Sequence, residues 1–230
     1  MRFAVLGSGS QGNGTLIASD STYVLVDCGF SLRETERRLV RLGVSPHQLS
    51  AILVTHEHAD HVHGVGLLSR RYNLPVYMSR GTQRGMRKPL EPAGFVAGGE
   101  TLQIGALSIS VTRVAHDAQE PTQYVFSDGQ RRFGLLTDLG SYCDGVLDSY
   151  RGLDALMIEA NHCRDMLARG HYPYFLKQRV GGQEGHLNNH QAASLVAELG
   201  WQDLQHLVLA HLSSKNNLPQ LARQCFVDTL

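Results

Sequence analysis

The chain has 230 residues, of which 42% are hydrophobic and 18% charged, and its formal net charge is zero. This composition predicts one soluble folded domain, residues 1–230, with a core typical of an enzyme. It excludes an overall charge that would by itself attract a polyanion.

The predicted elements of the first half begin with strands. Short apolar or alternating runs predict strands over residues 3–6, 15–18, 23–26 and 51–54. A helix is predicted over residues 32–42, with Ser31 as N-cap and Gly43 beyond its end. A second helix is expected over residues 62–72, then a strand over 76–78 and a helix after Ser79.

The second half repeats this order. Strands are predicted over residues 102–104, 107–114, 123–126 and 132–136, with a hairpin turn at Asp128-Gly129. A strand over 155–158, a helix-prone region over 161–180, a helix over 189–199, a strand over 207–210 and a helix from Pro219 complete the chain. Two halves, each β-rich and then β/α, predict an α/β fold of the four-layer αββα type.

Neither targeting nor disulfide signals are visible. The N-terminus enters a strand without a signal-peptide segment, and no later run is long enough to span a membrane. The four cysteines form no C-x-x-C pair, which is typical of reduced thiols. We therefore expect a cytoplasmic protein with no membrane partner. Cys163 follows His162, so a minor metal or redox role for it stays open.

The densest chemical signal follows the predicted strand 51–54. The pattern H-x-H-x-D-H consists of His56, His58, Asp60 and His61. Imidazole and carboxylate are ligands that zinc prefers. The side chains of His56 and His58 point the same way on an extended backbone, so both can hold one ion. The alternative is a polar, histidine-rich surface turn.

Three later residues also follow predicted strands. They are His116, Asp138 and His211. Each alone is more typical of a loop, but together with the cluster they predict two metal ions. The first would take His56, His58 and His116, and the second Asp60, His61 and His211. Asp138 can bridge the two ions, since a carboxylate has two oxygens. Asp60 can also orient an attacking water made acidic by the ions.

This ligand pattern resembles that of metallo-β-lactamase-fold hydrolases over nearly the whole chain. Further motifs resemble the YycJ (WalJ, VicX) subfamily: residues 7–13, 159–162, 172–179, 185–189 and 211–217. Asn189-His190 departs from that pattern, where an acidic residue is common. The resemblance implies a dinuclear centre and DNA exonuclease activity from the 5′ end, with DNA as the partner. Zinc is expected, with manganese or iron as alternatives.

The motif residues suggest further roles in phosphodiester chemistry. His186 can bind a phosphate oxygen or protonate a leaving oxygen, although a surface or capping histidine is the alternative. Candidate substrate contacts lie in the glycine-rich loop and in the later motifs: Ser8, Ser10, Asn13, Asn161, His162, Ser213 and Asn216. Hydrogen bonding within turns is the alternative for most of them. His63 is not expected to be a ligand.

The segment between His61 and Leu90 contains basic residues but no acidic ones. Six occur between His61 and Leu90: Arg70, Arg71, Arg80, Arg84, Arg87 and Lys88. Either a solvated helix face or a flank that contacts phosphates explains them.

Other functions remain as alternatives. Gly7, Gly9 and Gly12 match a dinucleotide fingerprint, but the residues after them predict a hairpin where that site needs a helix. A small cyclic phosphodiesterase, a thioester hydrolase of the glyoxalase type and a non-enzymatic metal-stabilised protein are the competing interpretations. The ligand set favours an enzyme over the last of these.

Overall fold

The computed structural model describes residues 1–230, with twelve strands and nine helices. The strands are β1 Arg2–Gly7, β2 Gly14–Ser19, β3 Thr22–Val26, β4 Ala51–Leu53, β5 Val76–Met78, β6 Gly94–Phe95, β7 Thr101–Ile104, β8 Leu107–Arg113, β9 Thr122–Ser127, β10 Arg132–Leu136, β11 Ala155–Glu159 and β12 His206–Ala210. The helices are α1 Leu32–Arg41, α2 Ala59–Val62, α3 Val65–Tyr72, α4 Arg80–Gly85, α5 Asp144–Tyr150, α6 Arg164–Arg169, α7 Tyr174–Val180, α8 Asn189–Leu199 and α9 Pro219–Thr229.

The strands form two six-stranded mixed sheets. The first has the order β1-β2-β3-β4-β5-β6, antiparallel through β3 and parallel beyond it. The second has the order β12-β11-β10-β9-β8-β7, in which β10, β11 and β12 are parallel. Parallel strands bring their C-terminal ends to one edge, which is where α/β sheets build their sites.

Contacts between Cα atoms divide the chain into two compact units. The first comprises Met1–Arg113, Ala118–Thr122 and Phe126–Gln130. The second comprises Val114–Asp117, Gln123–Val125 and Arg131–Leu230.

Each unit has its own apolar core. In the first, α1 and α3 bury Leu39, Val65 and Leu68 in one cluster with Leu25 and Ile52 of the sheet. In the second, helices α5, α8 and α9 contribute to a cluster with β10 and β11. All five side chains of β11 are buried, as expected for a central parallel strand. The cores fix the strand ends that carry the polar residues.

Most predicted elements are present, and the differences have local causes. The helix expected over residues 62–72 is α3, which begins later, at Val65, and a separate short helix, α2, ends before it at Val62. Between the two lies Gly64, the N-cap of α3. A Cβ there would lie 2.2 Å from the carbonyl oxygen of Phe30, so the chain passes too closely for a side chain. The helix-prone region 161–180 divides into α6, which ends at its C-cap Gly170, and α7, which begins after Pro173. The short strand β6 and helix α5 were not predicted.

Two glycines allow close backbone contacts between loops, one in each unit. At Gly29, a Cβ would lie 1.7 Å from the carbonyl oxygen of Asp60. At Gly140, a Cβ would lie 2.4 Å from the backbone nitrogen of Gly185. Both obstacles are backbone atoms, so neither can move aside like a flexible side chain. These contacts hold Asp60 in the first unit and the loop before His186 in the second.

The helices are short, none exceeding 11 residues. None has the length and apolar character needed to cross a lipid bilayer.

Candidate metal centre

The histidine cluster of the first unit lies directly after β4. Asp27, at the end of β3, is buried and accepts hydrogen bonds from the backbone nitrogen and the hydroxyl of Thr55, both at 2.8 Å. Its Oδ2 also lies 2.8 Å from Nδ1 of His61. Because an ionised carboxylate only accepts, Nδ1 of His61 carries the proton and its Nε2 keeps a lone pair. That lone pair is the one a metal ion requires.

The other predicted donors of this unit lie beside His61. Nε2 of His56 is 3.0 Å from Nδ1 of His58, and the rings of His56 and His61 have centroids 4.0 Å apart. Oδ2 of Asp60 is 3.7 Å from Nε2 of His61. The structure thus brings all four residues of H-x-H-x-D-H together. His63, which was not expected to be a ligand, is exposed at the end of α2.

Asn13 of the glycine-rich loop supports this cluster. Its amide nitrogen is 3.2 Å from Oδ2 of Asp60 and 2.9 Å from Nε2 of His61, and its Oδ1 accepts from the backbone nitrogen of Gly9. Asn13 is buried, whereas Ser8 and Ser10 are exposed. The loop leads into β2, antiparallel to β1, and not into a helix. The helix that a dinucleotide-binding site would require after this loop is therefore absent.

The second unit carries the later donors, each beyond the end of a strand. His116 follows β8, Asp138 follows β10 and His211 follows β12, and all three are buried. Asp138 and His211 have φ of 55° and 51°, in the left-handed region that non-glycine residues rarely adopt. Such strained backbone is concentrated at functional sites. No sequence pattern predicts these conformations.

Asp138, His186 and His211 form a compact donor group. One ligand atom from each lies within 4.8 Å of the others. Oδ1 of Asp138 is 3.4 Å from Nδ1 of His211 and 3.8 Å from Nδ1 of His186. Nδ1 of His116 is 3.0 Å from the carbonyl oxygen of Gly185, in the same loop as His186. The ring centroids of His116 and His186 are 5.2 Å apart.

Glu159, which received no role from the sequence, organises the second unit. It ends β11 and is fully buried. Its Oε1 accepts from the backbone nitrogens of Leu139, at 2.8 Å, and Leu187, at 3.1 Å. Its Oε2 is 3.0 Å from Nδ1 of His186 and 3.5 Å from Nδ1 of His211. One carboxylate therefore fixes the segments that follow Asp138 and His186. Two signals pointed to it, its position at a strand end and its place in the motif over residues 159–162.

The charges of this group are strongly coupled. Burial disfavours the protonated form of His186, but the carboxylates of Glu159 and Asp138 outweigh it and raise the pKa of His186 to about 9. Burial likewise disfavours the charged form of Glu159, yet His186 lowers the pKa of Glu159 to about 2. The pair is an imidazolium and a carboxylate at neutral pH. Burial lowers the pKa of His116, which keeps that imidazole neutral and able to bind a metal.

The remaining candidate residues of the second unit lie in the loops that follow β11 and β12. Asn161 donates from Nδ2 to the carbonyl oxygen of His211 at 3.0 Å and is buried. His162 is buried, its Nδ1 has no hydrogen-bond partner, and burial lowers its pKa to about 4. Ser213 accepts from the backbone nitrogen of Asn216 at 3.1 Å, which is ordinary turn chemistry. Nδ2 of Asn216 is also buried without a partner.

The donor sets of both units fit a divalent metal ion. They combine imidazole nitrogens with carboxylate oxygens, the ligands of zinc, manganese and iron sites. Nδ1 of the donor histidine His61 lies against the Asp27 carboxylate, an arrangement that is common for the far ring nitrogen of metal-bound histidines.

Known proteins resemble this chain over its whole length. The family described as "Beta-lactamase superfamily domain" matches residues 22–212. The exodeoxyribonuclease YycJ of Bacillus anthracis is 36% identical over 235 residues, covering 100% of this chain and 89% of the relative. The exodeoxyribonuclease WalJ of Streptococcus pneumoniae serotype 2 is 34% identical over 237 residues, covering 100% of this chain and 88% of the relative.

The fold has a counterpart among solved structures. The metallo-β-lactamase fold protein YhfI from Bacillus subtilis superposes with a TM-score of 0.78 at 20% identity, covering 99% of this chain and 92% of that one. With two mixed sheets flanked by helices, this likeness confirms the predicted α/β metallo-β-lactamase sandwich. The chain is therefore an enzyme of the metallo-β-lactamase-fold hydrolase superfamily and, within it, belongs to the family of the YycJ and WalJ exodeoxyribonucleases.

Proposed function

We propose that the protein is a metal-dependent phosphodiesterase that removes nucleotides from DNA, working from the 5′ end. The observation that carries the proposal is the combination of two buried donor clusters with the His186–Glu159 pair. Relatives named as exodeoxyribonucleases, 36% and 34% identical over the full chain, support the choice of DNA. The proposal includes a single domain over residues 1–230 and a cytoplasmic location, in keeping with its free cysteines.

The proposed centre holds two divalent ions, with zinc expected and manganese or iron as alternatives. His56, His58 and His116 would hold the first ion, and Asp60, His61 and His211 the second. Asp138 would bridge them. When bound, the ions would lower the pKa of a water molecule and offset the charge of the phosphodiester. Asp60 would orient that water, and Asn13 holds Asp60 in place through its amide.

His186 is the proposed general acid. Its Nδ1 is engaged with Glu159, so Nε2 is the atom left to donate a proton to the leaving oxygen. A raised pKa keeps the imidazole protonated at neutral pH, which this role requires. Glu159 is a positioning residue, since it acts through His186.

Substrate contacts are proposed at polar residues of the glycine-rich loop and of the loops that follow β11 and β12. They are Ser8, Ser10, Asn13, Asn161, His162, Ser213 and Asn216. A basic flank in the first unit would contact phosphates farther along the strand. Arg80, Arg84 and Arg87 are exposed, and the guanidinium of Arg80 lies 4.2 Å from the ring centroid of Phe95. Arg71 is instead paired with Glu36.

The substrate class is tested with the metal-loaded protein on two substrates, 5′-labelled DNA and bis(p-nitrophenyl) phosphate. We expect the wild-type protein to release single nucleotides from the DNA. His58→Ala should lower the rate of this release at least about a hundredfold, because a proposed metal ligand is removed. His63→Ala, an exposed neighbour, should retain the wild-type rate. Cleavage of the ester with intact DNA would indicate a small-molecule phosphodiesterase. Hydrolysis of a thioester alone would indicate the glyoxalase type.

The basic flank is tested by the salt dependence of DNA binding. Replacing Arg80, Arg84 and Arg87 by glutamine should reduce the slope of log affinity against log salt by about 2, since each lost phosphate contact removes about 0.7 for a single strand. The matched control replaces three exposed arginines of α1, Arg33, Arg37 and Arg41. It removes the same charge and should leave the slope unchanged. Equal slopes for the two triple variants would show that Arg80, Arg84 and Arg87 do not contact phosphates.

The Glu159–His186 pair is tested by urea unfolding of the metal-free protein. Glu159→Gln should cost about 3 kcal/mol or more at pH 6.5, because it breaks a buried charge pair. The cost should shrink as the pH rises through about 9, since folded His186 then releases a proton that the unfolded chain has already lost.

The control for this measurement is Glu198→Gln. Glu198 is an exposed carboxylate that accepts from the hydroxyl of Tyr142. Its replacement should change the free energy of unfolding by less than about 0.5 kcal/mol. A cost for Glu159→Gln that grows between pH 6.5 and pH 9 would contradict the assigned charges.

A further inference from the structure

Helix α7 exposes its aromatic residues to solvent. The side chains of Tyr174 and Phe175 are 77% and 72% exposed, the highest values among the large hydrophobic residues. None of the seven residues of α7 is fully buried. An exposed pair of large apolar side chains marks an interaction surface more often than a structural one.

The two aromatic residues of helix α7 lie on its solvent-facing side. With about 3.6 residues per turn, Leu176, Lys177 and Val180 share one side, and these three are half-buried. Tyr174, Phe175 and Gln178 occupy the opposite, exposed side. The largest apolar surface of the helix therefore faces away from the protein. The side chains of Tyr174 and Phe175 therefore add little buried apolar surface to the core of the second unit.

The helix is nevertheless tied firmly to the donor group. The backbone nitrogen of His186 donates to the carbonyl oxygen of Val180 at 2.9 Å. Nε of Arg179 donates to Asp117, the neighbour of His116. Since α7 has seven residues, its aromatic end lies only about 10 Å along the helix from the His186 loop. A strand whose end reaches His186 would pass within reach of this pair.

The charge of the surrounding segment favours a polyanion mainly through Arg164, Arg169 and Lys177, because Arg179 is paired with Asp117. Residues 163–184 contain four basic residues, Arg164, Arg169, Lys177 and Arg179, against two acidic ones, Asp165 and Glu184. Arg164 and Arg169 of α6 are exposed. Nζ of Lys177 donates to the carbonyl oxygen of Ala168 at 2.6 Å and joins α7 to the end of α6. Aromatic faces beside cations are how proteins bind single-stranded nucleic acid without reading its sequence.

We propose that Tyr174 and Phe175 form a stacking platform for the unpaired bases of a single strand near the cleaved end. The inference rests on the proposed function, since it concerns the nucleic acid on which that site acts. Base stacking is tolerant of sequence because every base has a π face. The platform therefore predicts binding that depends on the presence of bases but little on their identity.

The test uses the metal-loaded protein and two fluorescent phosphorothioate oligonucleotides, which resist cleavage. One carries bases, and the other is abasic with the same backbone charge. Fluorescence anisotropy should show that Tyr174→Ala/Phe175→Ala weakens binding of the first about tenfold and leaves binding of the second unchanged. Hydrolysis of bis(p-nitrophenyl) phosphate should remain at the wild-type rate, because α7 contributes no fully buried side chain.

Two further variants separate stacking from apolar contact. Tyr174→Leu/Phe175→Leu keeps apolar surface without a π face and should bind as weakly as the alanine variant, whereas Tyr174→Phe should bind like the wild type. Full affinity of the leucine variant would overturn the inference. So would equal weakening on both oligonucleotides, or a wild-type dimer that the alanine variant converts to a monomer in light scattering.

The inference and the proposed function fail in different ways. Wild-type protein that cleaves DNA, together with an alanine variant of unchanged affinity, overturns the platform alone. Wild-type protein that binds neither oligonucleotide overturns both.

Discussion

A fully buried carboxylate holds the polar groups of the second unit in place. Glu159 would be costly to bury alone, because an ionised carboxylate loses its hydration. Two backbone N–H groups and the imidazolium of His186 offset that cost. The first unit uses the same device, since buried Asp27 accepts from the backbone and hydroxyl of Thr55 and from His61. In both units the carboxylate fixes a histidine by its Nδ1, so that Nε2 is the atom available for chemistry.

The backbone shows a related cost. Asp27, Asp138 and His211 all have positive φ. For non-glycine residues this conformation costs roughly 1–3 kcal/mol each. Surrounding hydrogen bonds enforce it: the side chain of Gln123 bonds both backbone groups of Thr137, just before Asp138, and Asn161 donates to the carbonyl of His211. These hydrogen bonds hold the proposed ligands in position, which favours a preorganised centre.

Local patterns in the sequence predicted a mixed α/β chain and the first cluster, whereas the metallo-β-lactamase fold was implied by the family resemblance. The apolar runs of β4 and β11 mark buried strands, and H-x-H-x-D-H places four donors directly after one of them. Asp27 and Glu159 were missed as organisers because each is a single carboxylate at a strand end, with no spacing to distinguish it. Their roles come from residues distant in the chain, such as Leu139 and Leu187, which only the folded structure brings to them. The close approach of the Phe30 carbonyl to Gly64, which lies between α2 and α3, likewise joins residues distant in the chain.

The proposed function depends on the binding of two divalent ions by the donors of the two clusters. We would measure the metal content of the purified protein by inductively coupled plasma mass spectrometry, after loading it with zinc, manganese or iron in turn and dialysing it against metal-free buffer. We expect two ions per chain for at least one of these metals. A limit of one ion per chain with every metal, or none, would contradict this expectation.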